Sequence, residues 1–249
     1  FFMDGVLDSS TAYLIEDYAD QPGKKGEALF EEEEFNNLVL NCDKRKLQVA
    51  VHSIGDGAVK RVLDAYENAQ KNNCIRDSRH RVEHIELIQK EDIERFKELG
   101  VIASMQPVHP PGCDGLPLEP TISKIGKFRF NEAYAWASIK KAGGTITFST
   151  DWPVSNVDPI NAIYNALNRK KWCEDNIDQR LSLIDTLKAY TINGSYAEFK
   201  ENSKGMLKEG YLADVIILSE RIDLIPVSEL SRIKVIKTIV DGKIVYSKD

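Results

Sequence analysis

"LQVAVHSIGDGAVKRVLDAYENAQ", residues 47 to 70, decides the class of fold. Its first six residues, Leu47 to His52, have the apolar and β-branched character of a short buried strand. The period then changes. Val59, Val62, Leu63 and Tyr66 recur at i, i+3, i+4 and i+7, the spacing that lines one face of a helix. A strand followed at once by an amphipathic helix is one βα unit.

Reading outward, the unit recurs. "HRVEHIEL" (80–87) is a strand candidate, and "KEDIERFKELG" (90–100) is a helix stopped by Gly100. "VIASMQ" (101–106) is a strand, and the Pro- and Gly-rich "PVHPPGCDGLPLEP" (107–120) is a loop. "NEAYAWASIKKA" (131–142) predicts a helix ended by Gly143 and Gly144. A strand over 145–150 follows, then a helix marked by Ile160, Ile163, Tyr164 and Leu167, and another over 182–199. Upstream, "EEEEFNNLVLNCDKRK" (31–46) predicts a helix whose acidic start and basic end suit the helix dipole. Alternation of this kind argues for a parallel sheet covered on both faces. Near residue 205 the character changes. "GYLADVIIL" (210–218) is a strand, and "KVIKTIVDGKIVYS" (234–247) is a hairpin turning on Asp241-Gly242.

Composition narrows the partners. The chain has 249 residues, of which 42% are hydrophobic and 29% charged, and no apolar run approaches the ~20 residues of a spanning helix. The net charge of −6 gives no electrostatic reason to expect nucleic acid. Cys42, Cys74, Cys113 and Cys173 form no CxxC pair and read as reduced thiols, so a cytoplasmic location without membrane partners is expected. The opening "FFMDG" resembles a piece cut from inside a buried strand, which predicts a fragment of a longer protein.

Polar residues fall at the ends of three apolar strands: His52, His84 and Asp151. In βα folds functional groups gather at the carboxyl ends of strands. Two imidazoles and a carboxylate meeting there suit a divalent metal with an open coordination position. Taken singly, each has a plainer reading. A histidine at a strand end is often a hydrogen-bonded core residue, and Asp151 reads equally as the cap of the next turn. His109 in the Pro-rich loop either contacts substrate or caps the loop. Asp56 either caps the following helix or orients a ligand, and His80 reads as a surface residue.

The blocks "FFMDGVLDSSTA", "VAVHSIGDGAV", "HRVEHIEL", "VIASMQPVHP" and "FSTDWPV", in this order, resemble those of the amidohydrolase superfamily, specifically amidohydrolase family 3. "GMLKEGYLADVIIL" (205–218) resembles that family's closing signature, where the chain enters a β-sandwich. The resemblance implies the C-terminal half of a (β/α)8 TIM barrel over 1–204, followed by part of a small β-sandwich over 205–249. It implies a metal-dependent hydrolase of non-peptide C–N bonds with a small amide-like substrate. It makes His52, His84 and Asp151 metal ligands, with Asp151 also the general base. Gln106 and His109 would lie near substrate, and Arg81 and Glu83 would support the ligands, beside Asp56 on its own reading above. The expected cofactor is a divalent metal, zinc first, one or two ions in the intact enzyme. The family also carries an HxH pair and often a metal-bridging lysine. The chain contains no HxH, and that lysine would stand just before Phe1. Little activity is therefore expected of this chain alone, with either self-association or pairing to a missing N-terminal half. The competing expectation is a non-catalytic structural or binding module that keeps a relic of the site.

Overall fold

A computed structural model describes residues 1–248. The first strand, β1 (Ala50–Ser53), lies between α1 (Glu32–Lys44) and α2 (Asp56–Asn73) in the chain. Then come β2 (Arg81–His84), α3 (Arg95–Glu98), β3 (Ile102–Met105), α4 (Thr121–Ile125), α5 (Trp136–Lys141) and β4 (Thr145–Phe148). The strands form one sheet in the order β1-β2-β3-β4, and the β1–β2 and β2–β3 pairs are parallel. Chain order and sheet order coincide, as expected of successive βα units. Residues 1–3 run parallel beside β1. The Met3 N–H donates to the His52 carbonyl and the His52 N–H to the Phe1 carbonyl. Met3 is buried there, whereas Phe1 and Phe2 remain exposed.

The chain divides into two compact units. The first comprises Phe1–Met105, Pro110–Ile146 and Lys170–Gln179. Its core is the apolar face of α2 (Val59, Val62, Leu63, Tyr66) with Val51, Val82, Ile102 and Phe96, all fully buried. Each such side chain contributes roughly 1.5–3 kcal/mol on burial. All four residues of β3 are buried, the mark of a strand covered on both faces.

The second unit comprises Gln106–His109, Thr147–Arg169 and the chain from Arg180 onward. It holds α6 (Pro159–Asn168), α7 (Leu183–Tyr190) and α8 (Ile192–Ala197). Its antiparallel sheet is β5 (Val215–Leu218), β6 (Val235–Val240) and β7 (Lys243–Ser247). Ile160, Ile163, Leu230 and Ile233 form its buried centre. The β6–β7 turn sits on Asp241 and Gly242, both at positive φ (48° and 75°), which is why Asp-Gly stands there.

Three local expectations are corrected. The helix over 131–142 is confined to Trp136–Lys141. Residues 132–134 instead pair with 86–88: the Ile88 N–H donates to the Glu132 carbonyl and the Tyr134 N–H to the Glu86 carbonyl. Those long-range bonds hold backbone that helical periodicity would have claimed. The helix over 182–199 is broken at Thr191 (φ −125°, ψ −93°) into α7 and α8. His80 is not a surface residue but 1% exposed. Its Nδ1 accepts from the Val49 N–H (3.1 Å) and its Nε2 faces Asp43 Oδ1 at 3.2 Å. Asp43 also receives Arg76 and Asn73, so a buried polar network ties α1 and α2 to the strand that follows.

Candidate metal centre

In the first unit, His52, one residue before the end of β1, and His84, the last residue of β2, lie on neighbouring parallel strands, and their rings stand 4.5 Å apart, edge to face. His84 has φ +76° and Ile85 φ +53°. Positive φ is uncommon outside glycine and persists where the surroundings enforce it, often at functional sites.

His52 is held from behind. Its Nε2 lies 3.1 Å from the Gly5 carbonyl oxygen and 3.7 Å from Asp4 Oδ1. A carbonyl only accepts, so Nε2 carries the hydrogen and Nδ1 keeps the lone pair. No described residue hydrogen-bonds Nδ1. Asp4 is buried and accepts the backbone N–H groups of Tyr13 (2.9 Å), Ile54 (3.0 Å) and Gly55 (2.8 Å). Burial pushes its carboxyl up to about 6, against the pull of these N–H groups and of His52. The motif "MDG" contains this residue, but its two distant partners, Ile54 and Gly55, leave no trace in local sequence.

Asp56 is equally committed to the backbone. Its Oδ1 accepts from the Ile15 and Gly57 N–H groups, and its Oδ2 from the Gln89 amide. It therefore joins the start of α2 to the 12–15 segment and to Gln89, a residue that sequence reading did not single out. Arg81 and Glu83 lie on one face of β2, Nε to Oε1 at 3.1 Å, and Glu83 pairs in register with His52.

In the second unit, Gln106 donates through Nε2 to Ser149 Oγ (3.1 Å). His109 Nε2 stands 3.9 Å from Asp151 Oδ2. Asp151 sits at φ +57°, just past β4, and is about a third exposed. Its carboxylate accepts no hydrogen bond from the described residues. The cap of α6 is Asp158, whose Oδ1 accepts from Ile160. Burial lowers the His109 pKa, while the nearby Asp151 raises it. Side chains able to ligate a metal thus occur in both units, His52 and His84 in one, His109 and Asp151 in the other.

An α/β fold with a parallel sheet and strand-end histidines defines a class in which metal-dependent hydrolases are common. The amidohydrolase family model matches residues 1–246, and the chain belongs to that family, amidohydrolase family 3. It is 36% identical over 222 residues to the LONG AFTER FAR-RED 3 protein of Arabidopsis thaliana, covering 88% of this chain and 37% of that one. It is 32% identical over 252 residues to YtcJ of Bacillus subtilis (strain 168), a protein named as an amidohydrolase, covering 99% of this chain and 46% of YtcJ. Among solved structures, an uncharacterized metal-dependent hydrolase from Pyrococcus furiosus superposes with a TM-score of 0.71 at 31% identity, over 84% of this chain and 41% of that one. The chain spans less than half the length of these relatives. Among the described residues, no helix is long and apolar enough to cross a membrane.

Proposed function

We propose that this chain is the C-terminal half of a (β/α)8 barrel (1–204) with part of a β-sandwich (205–249). It would belong to a metal-dependent enzyme that hydrolyses non-peptide C–N bonds of small amide-like molecules. The observation that carries the reading is the His52–His84 pair at the ends of neighbouring parallel strands. The donor set fits a zinc-type ion: His52 offers Nδ1, fixed by Gly5 and Asp4 behind it, and Asp151 has no competing hydrogen-bond donor among the described residues.

His52, His84 and Asp151 are the proposed ligands. A divalent ion held by these residues would supply Lewis acidity toward a water and a substrate carbonyl. Asp151 accepts the proton of the attacking water and returns it to the leaving nitrogen. Gln106, held by Ser149, and His109 orient the substrate. Arg81, Glu83 and Asp56 keep the strand ends in register.

The chain contains no HxH pair. The reading therefore assigns these 249 residues weak turnover by themselves, with the remaining ligands supplied by an N-terminal half or by a second copy. The reduced cysteines fit a cytoplasmic location. The test is metal content. The purified protein should retain a stoichiometric divalent ion after dialysis, and His52→Asn and His84→Asn should each lose it. A wild-type protein that binds no divalent ion would instead support a non-catalytic module. In any active assembly, Asp151→Asn should abolish turnover and leave the fold intact.

A further inference from the structure

The pair His109–Asp151 lies entirely within the second unit, and its spacing is unusual. At 3.9 Å the imidazole Nε2 and the carboxylate Oδ2 are too far apart to hydrogen-bond and too close to be unrelated. Two donors bound to one tetrahedral ion at ~2.0–2.2 Å stand about 3.4 Å apart. A few tenths of an ångström of side-chain rotation would bring this pair to that distance. His109 is held in place by its backbone, whose N–H donates to the Gln106 carbonyl (3.1 Å), and its side chain is only 12% exposed. Asp151 is turned out of the strand path at φ +57°, and its carboxylate oxygens accept no hydrogen bond from the described residues. A carboxylate with no donor beside a largely buried imidazole is an arrangement that a cation completes.

We propose that His109 is a direct metal ligand, sharing with Asp151 one divalent cation of the zinc type, and not only a substrate contact. This rests on the reading that Asp151 holds a metal, and it adds a donor from the loop after β3 to that set. It predicts that the loop carrying His109 is fixed by the ion, so that metal loading and loop order change together.

The probe is cobalt(II), which takes zinc positions and reports its ligands by absorption. The wild-type protein, His109→Gln, His109→Cys, His84→Asn and Asp151→Asn are titrated with cobalt(II) in competition with a chelator of known affinity. Circular dichroism serves as the folding control. The expected result is a loss of affinity on the order of tenfold or more in His109→Gln, with weaker visible absorption as water replaces nitrogen. His109→Cys should regain affinity and show a thiolate-to-cobalt band in the near ultraviolet. That band arises only from direct ligation, and it stands even where the glutamine variant folds poorly. Wild-type affinity and an unchanged spectrum in His109→Gln, with no thiolate band in His109→Cys, would overturn the proposal. If His84→Asn and Asp151→Asn still lose the ion in that case, the functional reading survives without it. A wild-type protein that binds no cobalt overturns both.

Discussion

Asp4 Oδ1 stands 3.7 Å from the Nε2 of His52, while the same carboxylate accepts three backbone N–H groups from residues 13, 54 and 55. One buried acid therefore fixes both the turn that follows β1 and the imidazole at its end. The chain segment that crosses α2 is locked by the same device. The Tyr13 carbonyl accepts from Gly57 and Ala58, which satisfies two of the open N–H groups at the start of the helix. Fold and candidate site are thus built from the same hydrogen bonds, so changes to the scaffold should be felt at His52.

Gly55 tests the closeness of that crossing. A Cβ added there would lie 2.1 Å from the Tyr13 carbonyl oxygen, a backbone atom that cannot move without breaking the helix cap. Gly55→Ala should therefore destabilise the protein by about 3 kcal/mol or more. Asp4→Ala should have an effect of similar order, because the buried N–H groups of Ile54 and Gly55 lose their acceptor at about 1–3 kcal/mol each, and the part-buried one of Tyr13 loses it too. Urea midpoints of the two variants measure this. A midpoint within error of wild type in either would refute the staple.

His80 gives the molecule a pH dependence of known sign. Burial lowers its pKa to about 4, against the opposing pull of Asp43, with Arg76 acting in the same direction as burial. The geometry explains this: Nδ1 already accepts the Val49 N–H, so a second ring proton has nowhere to go. The unfolded chain protonates this group near 6.5 and the folded chain only near 4, so the unfolded state binds more protons between those values. The contribution is fully present above pH 6.5 and is lost as the pH falls toward 4. At about 1.36 kcal/mol per unit, it amounts to about 3 kcal/mol. Stability measured from pH 7.5 to 4.5 should fall more steeply for wild type than for His80→Gln. Parallel curves would contradict the assignment.

The division between what was readable in the sequence and what was not follows from range. The βα alternation is legible because the period changes from apolar runs to 3.6-residue spacing within one stretch, as at Val51 and Val59. Asp241-Gly242 is legible because positive φ at both turn positions admits few residue pairs. His52, His84 and Asp151 stand out because a polar residue closing an apolar strand has no local reason to be there. His80 and Asp4 were not legible as they are. Their partners lie about 30 to 50 residues away in sequence, and only the folded chain brings Val49, Asp43, Ile54 and Gly55 to them. Residues 131–135 failed for the same reason, since a helical pattern was outbid by pairing with 86–88.

Arg129 should prove a clamp on the segment that follows the Pro-rich loop. It is 5% exposed, and its guanidinium donates to the carbonyls of Glu16, Asp17 and Ile125 at 2.9–3.0 Å. Burial lowers its pKa, and neighbouring acids raise it. Arg129→Met leaves three carbonyls without this donor and should cost about 2–4 kcal/mol. Arg129→Lys should lie between the two, because an ammonium cannot reproduce the planar fork. Hydrogen exchange at Ala19, whose N–H donates to the Lys124 carbonyl across the same seam, should accelerate in Arg129→Met. Unchanged exchange there would mean that Lys124, with its own bond to Ser10, holds the seam alone.

Metal removal should be read as a stability change as well as a change in activity. An ion that binds only the folded chain stabilises it by about 2.7 kcal/mol at a hundred times its dissociation constant. For a chain of this size, that is a rise in melting temperature of about 5 °C or more. Adding a chelator to zinc-loaded wild type should reverse the rise. The same treatment should leave His52→Asn nearly unmoved, since its Nδ1 is the donor that Gly5 and Asp4 hold ready. Asp4→Asn separates orientation from ligation. It keeps every proposed ligand but replaces the carboxylate behind His52 with a neutral amide, so the metal-dependent rise should shrink without vanishing. A rise of equal size in wild type and Asp4→Asn would show that the Gly5 carbonyl alone sets the ring, and that Asp4 serves only the turn.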